Sequence, residues 1–224
     1  MKKLLLVVAF AAVGTFAFAQ KPTSGNITVE IGLAGITGAP VSPANPAGVG
    51  VGVLKGRYFM SDNMAIRGSF GFGTGSNTTT AANTQETVVK ATGFTLGAGI
   101  EKHLAGTSKL SPYLGAEVAF GIASGSTEIT NLGGTAGDKS TTTGGGNTNI
   151  NLNAMLGADY WIVERVYIGA ELGMTLFGTA STSDTEVETT IGGVTNKVTA
   201  KGTSSSSFGI APNALGMVRI GLMF

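Results

Sequence analysis

The chain has 224 residues with 36 glycines, no cysteine, 12% charged residues and a positive mean hydropathy. A disulfide scaffold is excluded, and a composition this apolar and glycine-rich does not fit an ordinary secreted soluble domain. The 14 basic side chains fall to 12 without Lys2 and Lys3, against 13 acidic ones. A net charge of about −1 offers no basic face for nucleic acid.

Lys2 and Lys3 precede an apolar run from Leu4 to Phe18, and Ala17-Phe18-Ala19 supplies the small-x-small site that signal peptidase needs. Residues 1–19 are therefore expected to be an export signal cleaved near Ala19 and Gln20, leaving 20–224 as one domain. A retained membrane helix is the weaker reading, because the run is short and no basic stop-transfer cluster follows it. No later stretch approaches the ~18 consecutive apolar residues of a spanning helix, so only strands could cross a membrane.

Strand one is expected at about Ile27 to Gly35, with Ile27, Val29, Ile31 and Leu33 on one face and Thr28, Glu30, Gly32 and Ala34 on the other. The Pro-rich stretch Thr37 to Ala47 breaks the ladder. Strand two runs from about Gly48 to Met60, and Ser61-Asp62-Asn63 turns the chain into strand three, about Met64 to Gly73. A polar loop, Thr74 to Glu86, leads to strand four, about Val89 to Leu104. A short link near Ala105 to Lys109 leads to strand five, about Ser111 to Ala123.

The second half repeats the plan, with loop Ser124 to Asn147, strand six at about Thr148 to Ile162, and turn Val163-Glu164-Arg165. Strand seven follows at about Val166 to Gly178, then loop Thr179 to Ser205 and strand eight at about Ser206 to Phe224. Short connections follow strands two, four and six, and long ones follow the odd strands. This is the asymmetry of a membrane barrel with short periplasmic turns and long outer loops. The expected fold is all-β, an eight-stranded antiparallel up-and-down transmembrane β-barrel, because in lipid only closure leaves no unpaired strand edge.

Turning the apolar face of each strand to lipid places Glu30, Arg67, Glu101, Glu117, Asp159, Glu171 and Arg219 inside. Lys55 and Arg57 join them on strand two, where alternation is poor and a bulge would change the phase. Five acids and four bases then share the lumen, where each can pair. On the lipid face, Arg or Lys near the midplane would cost about 2–4 kcal/mol. The charges are read chiefly as a satisfied structural network, with an ion pathway as the alternative. Inner glycines such as Gly97, Gly157 and Gly169 leave these long side chains room in an interior that side chains just fill. No P-loop signature occurs.

Tyr58, Phe59, Tyr113, Tyr160, Trp161 and Tyr167 all fall at strand ends beside the short turns, which fits an interfacial aromatic girdle. The last strand carries Val218, Ile220, Leu222 and Phe224 on one face and ends on that aromatic. This resembles the C-terminal strand of outer-membrane barrels, which the family's assembly machinery recognises. With the export signal, the hairpin plan and the stretch from Arg57-Tyr58-Phe59 to Ala65-Ile66-Arg67-Gly68, the chain resembles small barrels of the OmpA transmembrane domain and OmpX type, in a bacteroidete-type outer-membrane barrel family. The resemblance implies a monomeric, non-enzymatic protein held in outer-membrane lipid and lipopolysaccharide, with roles from envelope integrity to adhesion. No periplasmic peptidoglycan-binding domain is expected, since the sequence ends with its last strand.

Some eight-stranded barrels modify lipid A, so a lipid A-modifying enzyme is a distant third reading. The only histidine, His103, falls at the short-turn end of strand four beside Glu101, the wrong end for outer-leaflet chemistry. No catalytic residues are assigned, and one histidine without cysteine supports neither a metal centre nor another cofactor. The outer loops remain the plausible working surface. Glu186-Val187-Glu188 and Val194 to Val198, around Gly192-Gly193, alternate well enough to form a hairpin that could hold an extracellular ligand. The preferred reading is a structural or surface-interaction barrel, and the alternative is a narrow low-conductance channel.

Overall fold

Period-two alternation organises the described chain into eleven antiparallel strands, eight of which close into a ring. The computed structural model describes residues 21–34 and 52–224, with only the backbone of 52, 207 and 209–216. The export signal expected at 1–19 and the Pro-rich stretch 37–47 lie outside the described residues. The strands are β1 (Ile27–Ala34), β2 (Gly52–Ser61), β3 (Met64–Thr80), β4 (Glu86–His103), β5 (Leu110–Thr130), β6 (Lys139–Gly144), β7 (Asn147–Val163), β8 (Val166–Thr182), β9 (Thr185–Ile191), β10 (Val194–Ala200) and β11 (Ser204–Met223).

The ring runs β1-β2-β3-β4-β5-β7-β8-β11 and closes where β11 pairs with β1, Ile31 lying opposite Ile220. At the seam the Phe224 amide donates to the Ile27 carbonyl at 2.8 Å, and the Ile27 amide donates to the Phe224 carbonyl at 3.2 Å. This is an up-and-down transmembrane β-barrel, and its faces are inverted relative to a soluble fold. Glu30, Arg57, Asp159 and Arg219 are buried inside, whereas Ile31, Leu96, Val118, Leu156 and Ile220 are exposed around the outside. In water that exposed belt would be a liability; in lipid it is the solvent-matched face.

The outer limit of the belt is visible in one row of the sheet. Thr74 lies opposite Thr92 and Thr92 opposite Ser124, all on the outward face, and the two threonine hydroxyls lie 3.1 Å apart. Below this row the outward side chains of β5 are apolar from Leu114 to Ile122. Above it they become Ser126 and Glu128.

Beyond the row the strands do not stop. Gly73, Ala123 and Gly178 were the expected ends of strands three, five and seven, but β3, β5 and β8 continue to Thr80, Thr130 and Thr182. The expected loop Thr74 to Glu86 shrinks to a connection over residues 81–85. Both faces of these extensions meet water, so the period-two signal fades, while threonine still suits the extended backbone. The loop 124–147 contains β6, which pairs with β5 on one side and β9 on the other. The result is a six-stranded sheet, β3-β4-β5-β6-β9-β10, standing above the barrel.

Candidate functional site

Alternation delivers the lumen charges to one space. The irregularity in β2 falls between Phe59 and Ser61, after Lys55 and Arg57, so both keep their inward phase. Arg57 donates to Asp159 at 2.7 Å and to Glu101 at 3.1 Å from Nη1, to Glu30 at 3.4 Å from Nη2, and to the Thr28 hydroxyl at 3.1 Å from Nε. Arg219 donates to Asp159 at 2.5 Å, Glu30 at 3.1 Å and Glu171 at 3.2 Å. Arg67 reaches Glu101 at 2.8 Å and both Glu117 and Glu171 at 2.9 Å, and the Lys55 ammonium reaches Glu171 at 2.6 Å.

All nine charged residues are buried, and every one of the five carboxylates has a cationic partner within hydrogen-bond distance. Burying charges is costly unless partners replace the water they lose, and here each guanidinium serves several carboxylates. Inward glycines make the approach feasible. A Cβ on Gly169 would lie 2.7 Å from Asp159 Oδ1, and one on Gly97 would lie 2.6 Å from Glu117 Oε1.

Four residues assigned to the aromatic girdle are corrected. Phe59, Tyr113, Trp161 and Tyr167 are fully buried in the lumen; of the six, only Tyr58 and Tyr160 face outward. Parity is the reason: Phe59 follows Arg57 by two residues, Trp161 follows Asp159 by two, and Tyr113 and Tyr167 each precede an inward glutamate by four. The rings form the short-turn floor of the lumen. Trp161 and Tyr167 pack with centroids 4.6 Å apart, and Met223 joins them. The Tyr167 hydroxyl donates to Glu30 at 2.7 Å and the Tyr113 hydroxyl to Glu171 at 2.5 Å. Arg57 lies over the Tyr167 ring and Arg219 over the Tyr113 ring, with guanidinium carbons 5.1 and 5.0 Å from the centroids.

One partner that sequence reasoning missed is Ser111. Its hydroxyl lies 2.9 Å from His103 Nδ1, while His103 Nε2 lies 3.4 Å from Glu101 Oε2. A serine, a histidine and a carboxylate in line invite a hydrolase reading. All three are buried at the end of the barrel away from the protruding sheet, the His103 ring lies between Phe59 and Tyr113, and Glu101 is already held by two arginines. The hydrogen bond joins Ser111 to His103 alone, since His103 Nε2 has no hydrogen-bond partner among the described residues, and the group packs as part of the floor. The only clue in the sequence was that Ser111 shares the inward parity of Tyr113.

The upper lumen is different in kind. Asn149, Asn151 and Asn153 form a stripe on the inward face of β7, facing positions such as Gly71, Gly93, Gly97 and Gly121 on other strands. The Asn151 amide donates to Asn149 at 3.1 Å, and the Thr175 hydroxyl donates to Asn153 at 2.9 Å. Thr95 points inward on β4 and is nevertheless exposed, so water reaches this level.

Above the membrane belt, polar contacts hold the six-stranded sheet. Asp184 sits where the chain leaves β8 for β9, and it accepts from Lys201 Nζ at 2.7 Å and from the Gly202 amide at 2.9 Å. Those two donors hold its carboxyl below the usual aspartate range. Lys197 on β10 pairs with Glu186 on β9 at 2.7 Å, which raises its ammonium above the usual lysine range. Gly192 and Gly193 turn β9 into β10 with φ of 57° and 81°, the two left-handed positions of a two-residue hairpin. Asp138, from the loop before β6, accepts from the Gly192 amide at 2.8 Å and ties that tip down. Val218, Ile220, Leu222 and Phe224 are exposed on the outward face of the last strand.

No protein-family model matches the chain, and no curated protein is similar to it in sequence. Among solved structures it is similar to the outer membrane protein OprG from Pseudomonas aeruginosa, at 11% identity over 92% of this chain and 99% of that one, with a TM-score of 0.47. It is also similar to the N-terminal β-barrel domain of Pseudomonas aeruginosa OprF, at 14% identity over 91% and 100% of the two chains, TM-score 0.43. Ail, the attachment invasion locus protein of Yersinia pestis, is similar at 14% identity over 90% and 99%, TM-score 0.41. These are likenesses of fold, and the reading of the ring and its faces rests on the geometry above.

Proposed function

We propose that this chain is an outer-membrane protein whose barrel is a sealed anchor and whose work, in envelope integrity or surface contact, falls to the sheet standing outside the membrane. The observation that carries this reading is the pairing across the lumen: the nine charges and the aromatic floor spend their interactions on one another. The protruding sheet, by contrast, ends in a strand, β10, that among the described residues is paired on one side only. On this reading residues 1–19 export the chain, and Val218, Ile220, Leu222 and Phe224 present the last strand to the barrel assembly machinery. Within its own membrane the mature protein then sits as a monomer among outer-membrane lipid and lipopolysaccharide, and it is not an enzyme.

The test is replacement of β9 and β10 by a short Gly-Ser link in cells displaying the protein. The barrel should keep its heat-dependent gel shift while surface adhesion is lost; undiminished adhesion would contradict the reading. A narrow channel is the second reading, favoured by the water-accessible upper lumen with its asparagine stripe and the exposed, inward Thr95.

A further inference from the structure

β10 is the outermost strand of the protruding sheet. It pairs with β9 on one side, and among the described residues its other edge has no partner. All seven of its residues are exposed, Val194 and Val198 at 64% each. An open edge of this kind is a template for another strand, and natural sheets usually cover or break it.

About Asn196 the strand is partly symmetric: Val194 and Val198 flank it at equal distance, while Thr195 on one side answers Lys197 on the other. Val194, Asn196 and Val198 occupy one face, and Thr195 and Lys197 the other. The two-residue turn makes Ile191 and Val194 a hydrogen-bonded pair, so the backbone groups of Val194, Asn196 and Val198 point to β9. Those of Thr195, Lys197 and Thr199 therefore point to the edge that has no partner among the described residues. The Thr190 and Thr195 hydroxyls, 2.9 Å apart, fit the closer side-chain spacing of the alternating non-hydrogen-bonded pairs.

We propose that the occupant of this edge is β10 of a second copy of the chain, paired antiparallel about a two-fold axis at Asn196. That register sets Val194 against Val198 of the second copy at both ends, Asn196 against Asn196, and Thr195 against Lys197. It also brings the outward-pointing groups of Thr195 and Lys197 into hydrogen-bonded pairs, as the ladder requires. An antiparallel register centred on Lys197 would set lysine against lysine, and so would an in-register parallel pair.

The symmetry fixes where the two barrels lie. A two-fold axis relating antiparallel strands is perpendicular to their sheet. Because this sheet continues the barrel wall, its normal lies in the plane of the membrane, and rotation about it inverts the membrane. The second copy therefore belongs to an opposing membrane, and the contact joins two surfaces. Seven-residue strands give the hairpin a reach of about 23 Å at 3.3 Å per residue. This inference rests on the protruding sheet being the working surface and names its partner.

The protein has no cysteine, so a single introduced one reports the register cleanly. Asn196→Cys and Lys197→Cys proteins, each made with two different epitope tags, are refolded into separate vesicle populations, mixed and oxidised. Asn196→Cys should form dimers joining the two tags, because non-hydrogen-bonded partners lie about 4.5 Å apart at Cα, within disulfide range. Lys197→Cys should not. Thr195→Pro, which removes an outward N–H and spares the bonds to β9, should abolish vesicle clustering by the otherwise unaltered protein. Dimers of Lys197→Cys alone would overturn the register, and dimers confined to one vesicle population would overturn the opposing-membrane geometry. Absence of any dimer from protein with a normal heat-dependent gel shift would overturn self-pairing. Adhesion to cells lacking the protein, if still lost with the hairpin, would then leave the surface-contact reading standing with a different partner.

Discussion

Arg57 and Asp159 meet across the full width of the barrel: their strands are the second and sixth of eight in the ring, and Nη1 lies 2.7 Å from Oδ2. Diametric pairing of this kind is what allows a lumen of long charged residues to be solid. Asp159 also accepts from Arg219 at 2.5 Å, so its carboxylate joins two guanidinium groups. Asp159→Ala should leave both arginines short of a partner and destabilise the barrel by roughly 3–5 kcal/mol. Urea unfolding of the refolded protein, followed by tryptophan fluorescence, measures this directly.

The adjacent residues Tyr160 and Trp161 should respond oppositely to truncation. Trp161 is part of the buried floor against Tyr167, and Trp161→Ala should cost about 3–5 kcal/mol. Tyr160 faces outward, and Tyr160→Ala should cost less than about 1 kcal/mol. Circular dichroism during urea unfolding serves both variants, and equal losses would return Trp161 to the outer girdle.

Gly157 lies under the Tyr113 ring so closely that an added Cβ would overlap it. Gly157→Ala should therefore displace the ring and its hydrogen bond to Glu171, costing about 1–3 kcal/mol. Tyr113→Ala empties the space the methyl group needs. In a double-mutant cycle the pair should be more stable than the two single effects combined would give.

Outside the membrane, Asp184 couples the root of the hairpin to pH. Its carboxyl is held below the ordinary value of 3.8 by Lys201 and the Gly202 amide. A depressed folded-state value means the contact contributes fully above the ordinary range and is lost as pH falls through the lowered one. Protection of the Gly202 amide against hydrogen exchange, corrected for intrinsic rate, should thus hold at neutral pH and fall in strong acid. In Asp184→Asn that acid-dependent loss should disappear.

Much of the barrel is legible from alternation alone. Glu30, Arg67, Glu117 and Glu171 can be placed inside because their neighbours two residues away are small or polar while the intervening positions are apolar. The same parity applied to Phe59 or Trp161 puts them inside too, but position at a strand end suggests a girdle, and the two signals conflict. Geometry follows parity, since a strand cannot rotate one side chain out of phase without a bulge. The protruding sheet is harder to read. Threonine-rich segments such as Thr78-Thr79-Thr80 meet water on both faces and carry no alternation. The pairing of β6 with β9, from Lys139 opposite Thr190 to Gly144 opposite Thr185, joins residues 41 to 51 positions apart through backbone bonds that leave no mark on composition.

Single-channel recording of the refolded protein in a planar bilayer, with the heat-dependent gel shift as proof of folding, tests the sealed lumen most directly. Folded protein should pass no steady current, and neither Arg67→Ala nor Glu117→Ala should open a large conductance, because the aromatic floor of Phe59, Tyr113, Trp161 and Tyr167 lies beneath them. Reproducible ion-selective steps from the unaltered protein would contradict the paired-lumen account and make the water-accessible asparagine stripe the mouth of a channel.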